Sequence, residues 1–147
     1  MSENRPLILS VPSQCGYLPI IRAFIESACR TARFDDKFTQ GLALAVHEAV
    51  ANVICHAHRD RPEAPLVVEC YLRHDAVEVR IYDEGTPFDL ASVPHLDPGE
   101  VRIGGRGVFL IRSLVDELTC QPRGPEGNIL RLVKRRRRAE SGGTDVP

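Results

Sequence analysis

The sequence predicts an α+β domain of two layers, a mixed but mostly antiparallel sheet with helices packed on one of its faces. Three observations point to it. Strand and helix patterns follow one another as β-α-α-β-β-loop-α-β-β. The later strands come in pairs joined by short turns, which makes hairpin neighbours antiparallel. The first two helices are consecutive, so they group on one side instead of alternating with strands as in a doubly wound sheet.

Each element has its own signal. Leu7 to Val11 is a short apolar run after Pro6 and reads as the first strand. Tyr17 to Ala32 sets Leu18, Ile21, Ile25 and Cys29 on one helical face and Arg22, Glu26 and Arg30 on the other. Phe34-Asp35-Asp36 offers a cap, and a long helix is expected from Asp36 to Ala57. Arg59 to Pro65 carries two prolines and reads as a loop. Leu66 to Arg73 and Ala76 to Asp83 are expected strands. The second alternates Val77, Val79 and Ile81 against Glu78, Arg80 and Tyr82, with His74-Asp75 as the turn between the two. Glu84 to Gly105 is rich in Gly, Pro, Asp and Ser, and a loop that long is usually functional. A helix from Val108 to Val115 and strands at Leu118 to Gln121 and Asn128 to Lys134 complete the domain. Residues 1–135 are expected to form it, and 136–147 to be a basic and polar disordered tail.

Composition narrows the function classes. With 147 residues the chain can bury one real core, and its net charge of −1 creates no global pull towards nucleic acid or membrane. No apolar stretch is expected to span a membrane, and the start MSENRPLILSVP lacks the pattern of a secretory signal. The five cysteines are odd in number, widely spaced and without a CxxC pair. Reduced, mostly buried thiols in a cytoplasm are therefore expected, not a disulfide framework or a zinc ribbon. The basic run Lys134 to Arg138 is either a solvated strand end or an electrostatic contact with an acidic partner or nucleic acid. No interleaved aromatic residues support base stacking, so direct nucleic-acid binding is not expected.

The long second helix holds the first chemical signal, VHEAVANVICHAH. Between Leu42 and His56 its only polar side chains are His47, Glu48, Asn52 and His56. Glu48, Asn52 and His56 stand four residues apart and step only about 40° around the helix, so they form one stripe. An ordinary solvated face would carry Lys, Arg and several Glu. Asn is also a poor interior helix residue, because its amide competes for backbone hydrogen bonds. Either these groups bond within the fold or the stripe lines a pocket, where a carboxylate can act as a base and an amide oxygen can bind a hard cation. His47, Cys55, His56 and His58 fit no standard zinc spacing.

Two further pieces follow. In IYDEGTPFDL, Asp83 ends a strand and Gly85 follows two residues on, which gives a fixed acceptor beside approachable backbone. An exocyclic amine such as that of adenine is a donor such a carboxylate can read, although Asp-x-Gly-x-Pro is also a plain turn. In GGRGVFLIRSLVDEL, Gly104, Gly105 and Gly107 precede an apolar helical run, with Arg106 among them. Glycines admit a ligand close to the backbone, and the N–H groups at a helix start favour an anion. The loop is neither a Walker A nor a dinucleotide fingerprint.

In this order the three pieces resemble the N-box, G1-box and G2-box of the GHKL ATP-binding superfamily. More closely, the chain resembles the bacterial anti-sigma factor serine/threonine kinases, from about Pro6 to Lys134. The resemblance implies a Bergerat-type ATP-binding fold and an ATP- and Mg²⁺-dependent protein kinase. Glu48 would be the general base towards a substrate hydroxyl and Asn52 the Mg²⁺ ligand. Asp83 and Gly85 would hold adenine. Gly105, Arg106 and Gly107 would take the phosphates, and Leu90 to Gly104 would be the ATP lid. His56 follows the N-box Asn as in many relatives and is given no catalytic role. The implied partners are a small anti-anti-sigma protein as substrate, a sigma factor or other regulatory target, and a second copy as a homodimer. The rival readings are a nucleotide-binding partner-switch module without kinase activity, the catalytic domain of a histidine kinase, and a structural protein without a nucleotide site.

Overall fold

The computed structural model describes residues 5–58, 61–85, 105–124 and 127–137. Five strands are β1 (Leu7–Pro12), β2 (Pro65–Leu72), β3 (Ala76–Asp83), β4 (Glu117–Pro122) and β5 (Asn128–Arg135). Three helices are α1 (Leu18–Thr31), α2 (Asp36–Asn52) and α3 (Gly105–Leu114). The strands form one sheet in the order β1-β2-β3-β5-β4. All four adjacent pairs are antiparallel. β4 runs in the direction of β3, but β5 is inserted between them. The α3 crossover therefore never sets two parallel strands side by side, and the parallel part of the expected mixed sheet does not form.

Alternation builds the two layers. Leu66, Val68, Cys70, Val77, Val79, Ile81, Leu130 and Leu132 point from the sheet into one apolar cluster with the helices. Ile21 and Ile25 of α1, Leu42, Val46 and Val50 of α2, and Val108 and Ile111 of α3 complete it. α2 lies between the other two helices and has almost no solvent face. By length and composition alone, Asp36–His56 is apolar enough to cross a membrane, contrary to the sequence expectation. Half of that window is buried inside the domain, as the central core helix requires. Asp35 caps its start, its Oδ1 accepting the Phe38 N–H at 2.7 Å.

The opposite face of the sheet is polar. Glu78 is 4% exposed and accepts bonds from Arg80 Nε at 2.6 Å, Arg131 Nη2 at 3.3 Å and Arg73 Nη2 at 3.3 Å. Burial alone would raise its pKa, but the hydrogen bonds from Arg131 and Arg80 outweigh burial and hold the carboxyl below its ordinary value.

Several boundaries differ from expectation. The α-helix stops at Asn52, and Val53–Ala57 forms a π turn closed by the His58 N–H on the Val53 carbonyl at 2.9 Å. α3 starts at Gly105, so Gly105, Arg106 and Gly107 form its first turn instead of a loop before it. Most of the basic run is tied into the fold. Lys134 donates to the Leu114 carbonyl at 2.6 Å, Arg135 pairs with Glu117, and Arg136 stacks on Phe34 and donates to the carbonyls of Arg33 and His74. Arg136, at the start of the expected 136–147 tail, is therefore bonded to the domain, and 138–147 lie outside the described residues. None of the five cysteines forms a disulfide. Only Cys29 and Cys70 are buried, and burial pushes both up to about 12, whereas Cys15 and Cys55 are exposed.

Candidate functional site

The site gathers at the C-terminal end of α2. Glu48 and Asn52 are half-buried one turn apart on this helix, and His56, on the π turn, is exposed. Among the described residues the Glu48 carboxylate makes no hydrogen bond, so it is available to an outside donor. π turns within helices recur at functional sites, because the extra residue reorients the chain that follows.

The first turn of α3 lies directly on Asn52. A Cβ at Gly107 would sit 3.0 Å from Asn52 Nδ2 and 3.2 Å from Oδ1, closer than side chains normally pack. Glycine, costly inside a helix by about 1 kcal/mol, is here the residue that lets the helix start reach the amide. The first-turn N–H groups of α3 have no carbonyl partner within the helix and suit an anion. Gly107 is thus brought to Asn52, two residues into the helix that starts at Gly105.

Asp83 ends β3 and is 2% exposed. Its Oδ1 accepts the Gly85 N–H at 2.9 Å and Asn128 Nδ2 at 3.1 Å. Asn128 is equally buried and opens β5 directly opposite Asp83. Among the described residues both bonds fall on one oxygen, which leaves Oδ2 for an external donor. Gly127, at φ +112°, donates its N–H to the Gly85 carbonyl at 2.7 Å. A Cβ there would overlap the Asp83 carbonyl oxygen, so the β4–β5 turn can back this strand end only as glycine.

A third clamp joins the two halves. His58 is buried, and its Nε2 accepts the Glu84 N–H at 2.9 Å. Arg61 Nη1 donates to the Glu84 carbonyl at 2.7 Å. Burial lowers the His58 pKa, with Arg61 in the same direction and Asp83 and Glu84 opposing.

Asn128, Gly127 and His58 were not singled out as site residues by sequence. Asn128 and Gly127 become visible only once β5 is aligned against β3, and His58 read as one member of a non-fitting His/Cys cluster. The expected lid, Leu90 to Gly104, lies outside the described residues. Among the described residues no three His, Cys, Asp or Glu side chains cluster as metal ligands. A single half-buried amide oxygen beside a helix start suits Mg²⁺, which keeps waters and takes phosphate oxygens for the rest.

An antiparallel sheet under three helices, with a helix-borne Asn, a strand-end Asp and a glycine-opened helix at one end, defines the class: a two-layer α+β ATPase-like domain. The model of the histidine kinase-like ATPase domain matches residues 11–134. The serine-protein kinase RsbW of Listeria monocytogenes is 32% identical over 120 residues, 76% of each chain. RsbW of Staphylococcus epidermidis is 28% identical over 144 residues, 91% of each chain. In fold, the RsbU and RsbW domains of Rv1364c from Mycobacterium tuberculosis superpose with a TM-score of 0.65 at 19% identity, over 90% of this chain and 32% of that one. The chain belongs to the histidine kinase-like ATPase family, in the group of these serine-protein kinases.

Proposed function

We propose that the chain is an ATP- and Mg²⁺-dependent serine/threonine-protein kinase of a partner-switching anti-sigma system. It phosphorylates a small anti-anti-sigma protein and binds a sigma factor. The observation that carries this reading is the contact between Gly107 and Asn52, which brings a helix start onto the polar stripe of α2.

Roles follow from chemistry. Asp83 Oδ2 accepts from the adenine amine, and buried Gly85 keeps the edge approachable. Asn52 offers its amide oxygen to the metal, and the α3 start with Gly105, Arg106 and Gly107 holds phosphate oxygens. Bound Mg–ATP supplies the phosphoryl group together with the cation that offsets its charge. Glu48 orients the substrate hydroxyl and accepts its proton, a contribution of about 10²- to 10⁴-fold. The kinase acts in the cytoplasm as a homodimer, with neither membrane nor nucleic acid as a direct partner.

The test is calorimetric titration of ATP and ADP, with and without Mg²⁺, on wild type and Asp83→Asn. It is followed by transfer of labelled γ-phosphate to an anti-anti-sigma-type protein. Mg²⁺-dependent binding lost in Asp83→Asn is expected. Transfer lost in Glu48→Gln with binding kept is expected as well. Binding without transfer by wild type would favour the partner-switch module, and no binding at all would remove the nucleotide site.

A further inference from the structure

The nucleotide-facing groups sit on two separate pieces of chain. Glu48 and Asn52 belong to α2, and Asp83 and Gly85 belong to the end of β3. Binding one ligand through both requires a fixed spacing between them. Main-chain pairing does not supply it, because the strand ends at Asp83 and the helix at Asn52. The side chain of His58 bridges the gap.

The geometry is specific. The π turn after Asn52 closes with the His58 N–H on the Val53 carbonyl, which fixes the backbone of His58 relative to α2. The ring then reaches across and accepts the amide of Glu84, the residue between Asp83 and Gly85. Arg61, whose own N–H is bonded to the His58 carbonyl at 3.0 Å, holds the other side of the same residue through the Glu84 carbonyl. Glu84 is thus gripped at both its N–H and its C=O from the segment that leaves α2. For Nε2 to accept, the ring must be neutral with its proton on Nδ1, and that Nδ1 is buried without a partner among the described residues. A buried imidazole with one nitrogen unsatisfied is a costly way to fill space, so the bond it does make is the reason for a histidine.

We propose that His58 is a positioning residue of the nucleotide site: by accepting the Glu84 amide it sets the adenine-reading edge at Asp83 and Gly85 in register with Asn52. This rests on the nucleotide-site reading above. It does not place His58 in contact with the ligand. The charged groups facing the ring are Asp83 and Glu84 at the strand end and Arg61 in the loop after the helix. Protonation turns Nε2 from acceptor to donor and sets it against the Glu84 N–H, so the register is lost on acidification. Burial and Arg61 resist that protonation, which confines the effect to pH below the ordinary histidine range.

The experiment is ADP titration in excess Mg²⁺ on wild type, His58→Leu and His58→Gln, each checked for a cooperative melt. Gln carries an acceptor at about the reach of Nε2; Leu carries none. Loss of one such bond weakens binding by about tenfold in His58→Leu. His58→Gln should restore affinity to within about twofold. In phosphotransfer the loss should fall on the KM for ATP, with kcat kept. The ratio of wild-type to His58→Gln Kd cancels the titration of ADP itself. It should rise as pH is lowered from about 7.5 through the range in which wild type stays folded. Should His58→Leu fail to fold, that ratio alone decides. Equal affinity in His58→Leu, or a pH-independent ratio, overturns the role of His58 while leaving the site intact. No ADP binding by folded wild type overturns both readings.

Discussion

Gly127→Ala isolates the backing of Asp83 from general turn flexibility, because Gly124 in the same turn provides a control. Both glycines have positive φ, +71° at Gly124 and +112° at Gly127. A Cβ at Gly124 meets nothing within 4 Å, so Ala there bears only the backbone cost, about 1 kcal/mol. A Cβ at Gly127 would overlap the Asp83 carbonyl and sit 3.3 Å from Glu84 Cα, both backbone atoms that cannot rotate away. Relief requires moving the turn off the strand end and loosening the Gly127 N–H bond to the Gly85 carbonyl. Strain of about 1–3 kcal/mol and a lost bond of about 1 kcal/mol give a total of about 2–4 kcal/mol. At about 3 °C per kcal/mol for a domain this size, Tm should fall by about 6–12 °C in Gly127→Ala and by about 3 °C in Gly124→Ala. Thermal melts check the first number. ADP titration checks its consequence, at least about tenfold weaker binding in Gly127→Ala and little change in Gly124→Ala. Matching melts and matching affinities for the two variants would refute the claim that Gly127 holds Asp83 in place.

Gly107→Ala should push the Asn52 amide aside by a few tenths of an ångström and weaken Mg²⁺-dependent ATP binding more than Mg²⁺-free ADP binding, with Tm nearly unchanged. Paired titrations measure both. Asn128→Ala removes the donor to Asp83 Oδ1 inside the fold; a stability loss of about 1–3 kcal/mol in urea unfolding and weaker ADP binding are expected. Glu78→Gln leaves Arg73, Arg80 and Arg131 without their shared carboxylate and should cost about 3 kcal/mol near pH 7. Glu78 is held below its ordinary pKa of 4.5 in the folded state. Its stabilisation is therefore full above 4.5 and is lost as pH falls through the folded value. Urea unfolding from pH 7 to about pH 3 should show a shallower acid loss in Glu78→Gln than in wild type.

The candidate site was legible in sequence where its residues break a local rule. Asn52 interrupts an apolar helix, Asp83 ends an alternating strand, and Gly107 opens a helix that would otherwise prefer alanine. Each departure has a local cost and a local spacing, so each is visible in one stretch of chain. The π turn was not visible, since VICHA has no signal that separates it from an ordinary last helical turn. Nor was the role of the basic run: Lys134 and Arg136 find carbonyl and aromatic partners in helices, turns and loops remote in sequence.

By itself the sequence determined the order of the elements, which faces are apolar, and the three departures, at Asn52, Asp83 and Gly107, that mark the candidate site. These depend on periodicity and turn chemistry, which act over a few residues. Tertiary structure alone decided that β5 slips between β3 and β4, and so that Asn128 and Gly127 meet Asp83. It alone decided that His58 reaches Glu84, and that three arginines share one buried carboxylate. Those partners lie 26 residues apart for His58 and Glu84 and 45 for Asn128 and Asp83. Contacts at that separation are set by how whole elements pack around the common core, a property that no short stretch of sequence carries.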